Sequence, residues 1–153
     1  MSAGLLRHYF DGIDALVAAT YRATGVRVAA ALHAAVDAVP TDNPRGRLLA
    51  FVTASFRAPI ADPELLATWL AFWSLSRTVP AIGAIHDEIY ADNRQDMERL
   101  IRACPNAPAD ARLAAVALTA LVDGLWLELS LGNAPFSVDE AEALAEKWFD
   151  SFI

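Results

Sequence analysis

The stretch ADARLAAVALTALVDGLWLELSL, residues 109–131, decides the fold more than any other part of the chain. It has the length of a helix, and Ala and Leu dominate it without the alternation of apolar and polar residues that would indicate a strand. Because a helix that is apolar on nearly all sides must be covered on nearly all sides, we expect it to pack partly against the chain's own helices and partly against a second copy of the chain.

Helix signals continue on both sides of this stretch. Apolar residues at three- and four-residue steps predict helices over about 13–39, 44–57, 63–79 and 80–103, and a last helix after Ser137. Asp62-Pro63-Glu64 is a helix start signal, and Ser137 with Glu140 has the spacing of a capping box. Gly25 is a weak point inside the first helix, where it could bend. The sequence therefore predicts an all-α protein.

The composition fits one folded domain. The chain has 153 residues, of which 56% are hydrophobic and 20% are charged, whereas disordered chains are poor in apolar residues. Its formal net charge is -7. Domains that bind nucleic acid usually carry a basic patch, so the chain as written is a poor candidate for binding DNA by itself. The single cysteine, Cys104, excludes an intramolecular disulfide and fits a reducing, cytoplasmic setting.

The polar residues argue against a membrane span, a metal site and an enzyme. A membrane span of about 20 residues rarely tolerates two carboxylates, and residues 113–131 contain Asp123 and Glu128. The stretch 86–92 has neither the His-Glu-x-x-His nor the Glu-x-x-His spacing, so we expect no metal and no other cofactor. The chain has no phosphate-binding loop, paired-acid motif or Gly-x-Ser-x-Gly motif, and Cys104 has no His near it in the sequence.

We expect a two-fold homodimer. In this arrangement the helix over residues 109–131 and the last helix of each copy form a four-helix interface. The expected interface residues are Leu118, Val122, Leu125, Leu129, Trp148, Phe149 and Phe152.

Four aromatic side chains and one carboxylate form a candidate ligand site. Trp69, Phe72 and Trp73 lie at positions i, i+3 and i+4 and so share one side of a helix, while Trp126 comes from the stretch at 109–131. Such rings can hold a quaternary ammonium by cation–π attraction, about 0.5–2 kcal/mol per contact, and Asp123 could balance its charge. Two alternatives stay open: the rings are ordinary core, and the carboxylate is a structural group bonded to a Trp N–H or an Arg.

Three short motifs resemble a known family. SAGLLRHYFDG at residues 2–12 resembles the end of a TetR-family helix-turn-helix, where the recognition helix runs into a long linking helix. TWLAFW at 68–73 and LVDGLWL at 121–127 resemble the BetI-like branch of that family, named for a choline-responsive repressor. The resemblance implies the TetR-like C-terminal ligand-binding and dimerisation bundle. Residues 1–10 would then be a remnant of the recognition helix, and residues 11–153 the effector-binding and dimerisation domain.

The resemblance implies a transcriptional repressor that senses a small molecule, with a quaternary ammonium as a candidate effector. In the recognition-helix remnant, Arg7, His8 and Tyr9 are candidate DNA-contact residues, with packing against the next helix as the alternative. The family's first two DNA-binding helices would precede Ser2, and Ile13 stands where the family commonly has Lys. We therefore expect operator DNA to be a partner only in a full-length form, because a lone recognition helix lacks helices to hold it in a groove.

A second hypothesis belongs to another class. The same helices could form a dimeric protein-interaction module without an effector. A closed, dry core around Trp69 and Trp126 would favour the module, whereas an open cavity of about 300 Å³ or more with a carboxylate in its wall would favour the sensor.

Overall fold

Every regular element of the described chain is a helix. The computed structural model describes residues 12–151 and contains no strand in that range. The α-helices are α1 (Ile13–Asp37), α2 (Pro44–Thr53), α3 (Pro63–Ser76), α4 (Pro80–Ala103), α5 (Ala111–Ser130) and α6 (Val138–Phe149). The predicted all-α fold is confirmed. The second helix is shorter than expected, because the chain tightens into a 3-10 turn at Ala54–Phe56.

Side-chain caps start four of these helices, and the caps of α3 and α6 lie at the positions that the sequence marks. Asp62 Oδ1 accepts hydrogen bonds from the backbone N–H groups of Glu64 (3.0 Å) and Leu65 (3.1 Å). Ser137 and Glu140 form the predicted capping box, each side chain accepting from the other's backbone N–H at 3.2 Å and 2.8 Å. The Asp110 side chain starts α5 in the same way. Each such cap contributes about 1 kcal/mol, since the first amides of a helix otherwise lack partners.

Helix α4 lies at the centre of the bundle. It packs against α1, α2, α3 and α5, while α6 lies outside, against α5 and α2. Its side chains Ile82, Ile85, Met97 and Ile101 are buried in the core. The four helices around α4 therefore enclose a common interior, and that interior holds the candidate site.

Ion pairs of two exposed arginines join α6 to the rest of the bundle. Arg57 bonds to Asp139 at 2.6 Å and to Glu142 at 2.5 Å, and Arg45 bonds to Glu146 at 3.0 Å. Each exposed pair contributes little stability alone. Together the pairs fix the position of α6 along its axis relative to the neighbouring helices.

Helix α5 is long and apolar enough to cross a membrane by length and composition. However, the side chains of Ala115, Leu118 and Val122 lie in the core of the bundle. One side of α5 therefore packs inside the bundle.

Gly25 serves as a contact point between helices. Helix α1 continues through it, and Gly25 lies against Ile89 of α4, so close that an added Cβ would be 2.6 Å from Ile89 Cδ1. The absence of a side chain at this position is what lets α1 approach α4.

Gly25→Ala should lower the free energy of unfolding by up to about 2 kcal/mol, because overpacking costs about 1–3 kcal/mol and the higher helix propensity of Ala offsets about 1 kcal/mol of that cost. Urea denaturation measures this loss. Ile89→Val removes the nearest atom, so the same Gly25→Ala change should cost less in an Ile89→Val background. An equal cost in both backgrounds would contradict the contact.

Candidate functional site

A cavity of about 90 Å³ lies inside the bundle between α1, α2, α3, α4 and α5. Four aromatic rings contribute to its wall, those of Phe51, Trp69, Tyr90 and Trp126. Asp123 contributes a carboxylate to the same wall. The volume holds several water molecules but is smaller than the roughly 300 Å³ typical of pockets for drug-sized ligands. Any ligand held entirely within it is therefore small.

The aromatic rings are packed edge to face. The ring centroids of Trp69 and Trp126 lie 6.2 Å apart at an interplanar angle of 88°, and Tyr21 meets Trp69 at 5.5 Å and 80°. This arrangement is favourable for aromatic pairs because the positive ring edge meets the negative face. It also holds Trp69 rigidly in the cavity wall.

Three of the five predicted ligand residues line the cavity, and two do not. Trp69, Asp123 and Trp126 are in its wall. Phe72 instead stacks on Tyr21, with ring centroids 4.1 Å apart, and Trp73 Nε1 donates a hydrogen bond of 2.9 Å to the Tyr90 hydroxyl. The reason is the helical rotation of about 100° per residue. Position i+3 is rotated about 60° to one side of position i, and position i+4 about 40° to the other side, so the three side chains point in different directions from the same half of the helix. Phe72 and Trp73 therefore support the wall from behind.

Burial dominates the chemistry of Asp123. It raises the pKa of this carboxyl group to about 6, while the Tyr90 hydroxyl and the positive charge of Arg94 act in the opposite direction. Burial, followed by the nearby Asp123, also raises the pKa of Tyr90. Within residues 12–151, none of the ion pairs includes Asp123. The cavity thus contains a poorly compensated negative charge, which a cationic ligand would balance.

Trp126 adds an unused hydrogen-bond donor. Its Nε1–H is buried, and no acceptor for it lies in the described part of the chain. A buried donor without an acceptor costs about 1–3 kcal/mol. Because Trp126 is part of the cavity wall, a ligand or water with an acceptor oxygen is one way to satisfy it.

The sequence interpretation missed most of the wall that α4 supplies. Tyr90, Asn93 and Met97 line the cavity, as does Asp96. Tyr90, Asn93 and Met97 are spaced i, i+3 and i+7, the spacing of one helix face, and this signal could have identified them. They were overlooked because charged residues surround them in the sequence.

The predicted dimer contacts lie on the expected helices, but most lie on the inner side. Leu118 is 1% exposed and Phe149 is 3% exposed, and Val122 and Leu125 are also buried in the protomer's own core. These four side chains therefore have little exposed surface in the protomer, and their place in a dimer interface stays a prediction. Helix α5 has two apolar faces, and the residues chosen from the sequence belong to the face that its own bundle covers. Leu129 and Trp148 are partly buried.

Large apolar side chains remain exposed on the outer side of the same two helices. They are Leu113 (53% exposed), Val116 (39%), Leu131 (62%), which ends α5, and Leu144 (46%). The small residues Ala117, Ala120 and Gly124 are exposed between them. We call this set the outer apolar face.

The candidate DNA contacts Arg7, His8 and Tyr9 and the candidate interface residue Phe152 lie outside the described residues.

Comparison with known proteins places this chain among transcriptional regulators. Residues 44–153 match the family described as BetI-type transcriptional repressor, C-terminal. The chain is 37% identical over 152 residues to the HTH-type transcriptional regulator BetI of Burkholderia thailandensis, covering 98% of this chain and 76% of that protein. It is 33% identical to BetI 2 of Chromohalobacter salexigens, covering 100% of this chain and 73% of that one. It also resembles the crystal structure of a candidate transcriptional regulator from Pseudomonas aeruginosa PAO1. That match has a TM-score of 0.90 and 42% identity and covers 99% of this chain and 74% of the other.

Asp123→Asn should stabilise the protein at pH 7 and have a smaller effect at pH 4. The folded-state pKa of about 6 lies above the ordinary value for Asp, so ionisation between pH 4 and pH 6 costs folding free energy. An amide avoids that cost, which is about 3 kcal/mol at pH 7 for a rise of roughly two pKa units. Urea denaturation of both proteins across this pH range measures the difference, with Asp92→Asn, an exposed carboxylate on α4, as the matched control. The same difference at both pH values would contradict a buried, ionising Asp123.

Proposed function

Because the chain belongs to the BetI-type family of transcriptional repressors, within the TetR family, we propose that residues 11–153 form the part that senses a small effector and dimerises. The named relatives are transcriptional regulators, not enzymes. The observation that carries the sensor proposal is the aromatic cavity with the buried carboxylate of Asp123 in its wall.

The chemistry of the cavity favours a small organic cation. The rings of Trp69, Trp126 and Tyr90 present π faces and edges to a confined volume, and aromatic faces attract cations. Asp123 supplies the opposite charge, and none of the ion pairs within residues 12–151 includes it. A quaternary ammonium is the effector class that we propose. Its methyl groups suit the apolar wall, and its charge cannot be lost by deprotonation.

The size of the cavity limits the effector further. The volume of about 90 Å³ falls below the 300 Å³ that the sequence hypothesis set for a sensor, so a bulky effector would require the helices to move apart. The cavity is still unlike the dry core expected of an interaction module. It contains Asp123 and lies next to the unpaired donor of Trp126. These buried polar groups cost stability and are accounted for if a ligand occupies the site.

Helix α1 is positioned to report the state of the cavity. Gly25, Leu32 and His33 of α1 line the cavity, and the same helix starts at Ile13, next to the segment that resembles a recognition helix. We propose that occupancy changes how α1 packs and so shifts the spacing of two recognition helices in a full-length dimer, where residues such as Arg7, His8 and Tyr9 would contact operator DNA. The available energy is the difference in effector affinity between the two states.

A second copy of the chain is the proposed partner of the outer apolar face. Its exposed Leu and Val side chains lie on α5 and α6 and where α5 ends, and the small residues between them permit close helix approach. A symmetric interface places the same face of both copies in contact. As a regulator of transcription, the dimer would act in the cytoplasm.

Choline and betaine aldehyde should quench or enhance the intrinsic tryptophan fluorescence with saturation, and the neutral tert-butyl isostere of choline should not. Asp123→Asn should weaken choline affinity about tenfold or more, which corresponds to about 1.4 kcal/mol, because the counter-charge is lost. A fluorescence titration measures both effects.

Asp92→Asn is the matched control for this titration, because Asp92 is an exposed carboxylate that is not part of the cavity wall. Equal binding of choline and its isostere, or unchanged affinity in Asp123→Asn, would reject the cation site. The family assignment would stand in that case, and the search would turn to neutral effectors.

Leu131→Glu combined with Leu144→Glu should convert the dimer to a monomer, because a buried unpaired carboxylate is costly at an interface. Size-exclusion chromatography with light scattering measures the mass. Val26→Glu is the matched control, since Val26 is 69% exposed on α1, away from the outer apolar face. If the double variant remained a dimer, the interface would have to lie on another surface.

A further inference from the structure

We propose that the effector reaches the cavity through an adjoining surface cleft, and that the His33–Asp96 pair is the gate between the two. The role of the gate in effector binding rests on the proposed function. The route itself is a property of the structure and can be tested without an effector.

The cleft adjoins the cavity directly. It has a volume of about 410 Å³ and lies on the surface between α1, α2 and α4. The side chains of Asp37 and Arg99, which line it, are 76% and 74% exposed. His33, Phe51 and Asp96 line both the cleft and the cavity. These three side chains therefore form the partition between the cleft and the cavity.

His33 is the accessible part of that partition. Among the described residues that line the cavity, it is the one that is exposed to solvent, with 53% of its side chain accessible. Phe51 is buried, and only 20% of the Asp96 side chain is accessible. Displacement of His33 would therefore open the cavity toward the solvent on the side of the cleft.

The contact between His33 and Asp96 closes the partition. It is weak, and within the described residues only Asp96 is held by a second partner. His33 Nε2 lies 2.5 Å from Asp96 Oδ2 and joins α1 to α4. Because His33 is exposed to solvent, a pair of this kind contributes little net stability and opens readily. Asp96 is also bonded to Arg99, its neighbour on the same helix. Because Arg99 holds Asp96 in place when His33 leaves, His33 is the moving part of the gate.

The test measures how fast acrylamide, a small neutral quencher, reaches the cavity tryptophans. The parent for the test carries Trp73→Phe and Trp148→Phe, so that the fluorescence comes from Trp69 and Trp126, which line the cavity. Circular dichroism and urea denaturation establish that this parent is folded. His33→Ala should then raise the bimolecular quenching constant about two- to fivefold, the change expected when an exposed pair is removed.

Arg22→Ala is the matched control. The Arg22–Glu88 pair, at 2.7 Å, also joins α1 to α4 and is exposed, but neither residue is part of the wall of the cavity or the cleft. An increase in His33→Ala without an increase in Arg22→Ala supports the gate. No increase in either variant, or an equal increase in both, overturns it. Because acrylamide is uncharged, this result does not depend on whether the cavity binds a cation.

Discussion

The cost of burying the Asp123 carboxylate is the constraint on which the site depends. A carboxyl group in an aromatic wall must be protonated, paired or matched by a ligand charge. Burial raises its pKa to about 6, so the group still ionises near neutral pH, at a cost to folding. The cavity thus stores an unfavourable charge that a bound cation would relieve. In the proposed complex, relief of this charge would contribute part of the binding free energy.

The remaining geometry follows from the helices that surround this charge. Helix α4 at the centre brings Tyr90 and Arg94 near Asp123, and Gly25 lets α1 approach closely enough to close the cavity on that side. Caps at Asp62 and Ser137 fix where α3 and α6 begin. Since the same helix, α1, forms a cavity wall and follows the segment that resembles a recognition helix, the proposed change at the cavity would be transmitted along α1.

Much of this arrangement could be predicted from the sequence because its signals are local. Capping residues and apolar spacing determine helices one at a time, and they were sufficient for the helix starts at Pro63 and Val138. Trp69, Asp123 and Trp126 were found because large rings and a carboxylate within apolar stretches are conspicuous. The side of α5 that faces its own bundle could not be predicted, because both sides are apolar. Only the packing of other helices makes the side of Leu118 the inner one and the side of Leu113 the outer one. The place of Tyr90 in the cavity wall was not predicted, because charged residues surround it in the sequence. The cavity volume could not be predicted either, since it depends on contacts between helices such as that of Gly25 with Ile89.

The most direct test is the pKa of Asp123 itself, measured by carbon-13 NMR of the carboxyl group with and without choline. We predict a value of about 6 in the free protein and a fall of about one unit or more when choline is bound, because a cation in the cavity stabilises the charged form. The neutral isostere should leave the value unchanged. A pKa that does not respond to choline, or that already lies near the ordinary value of Asp in the free protein, would contradict the claim that Asp123 is the counter-charge of the effector.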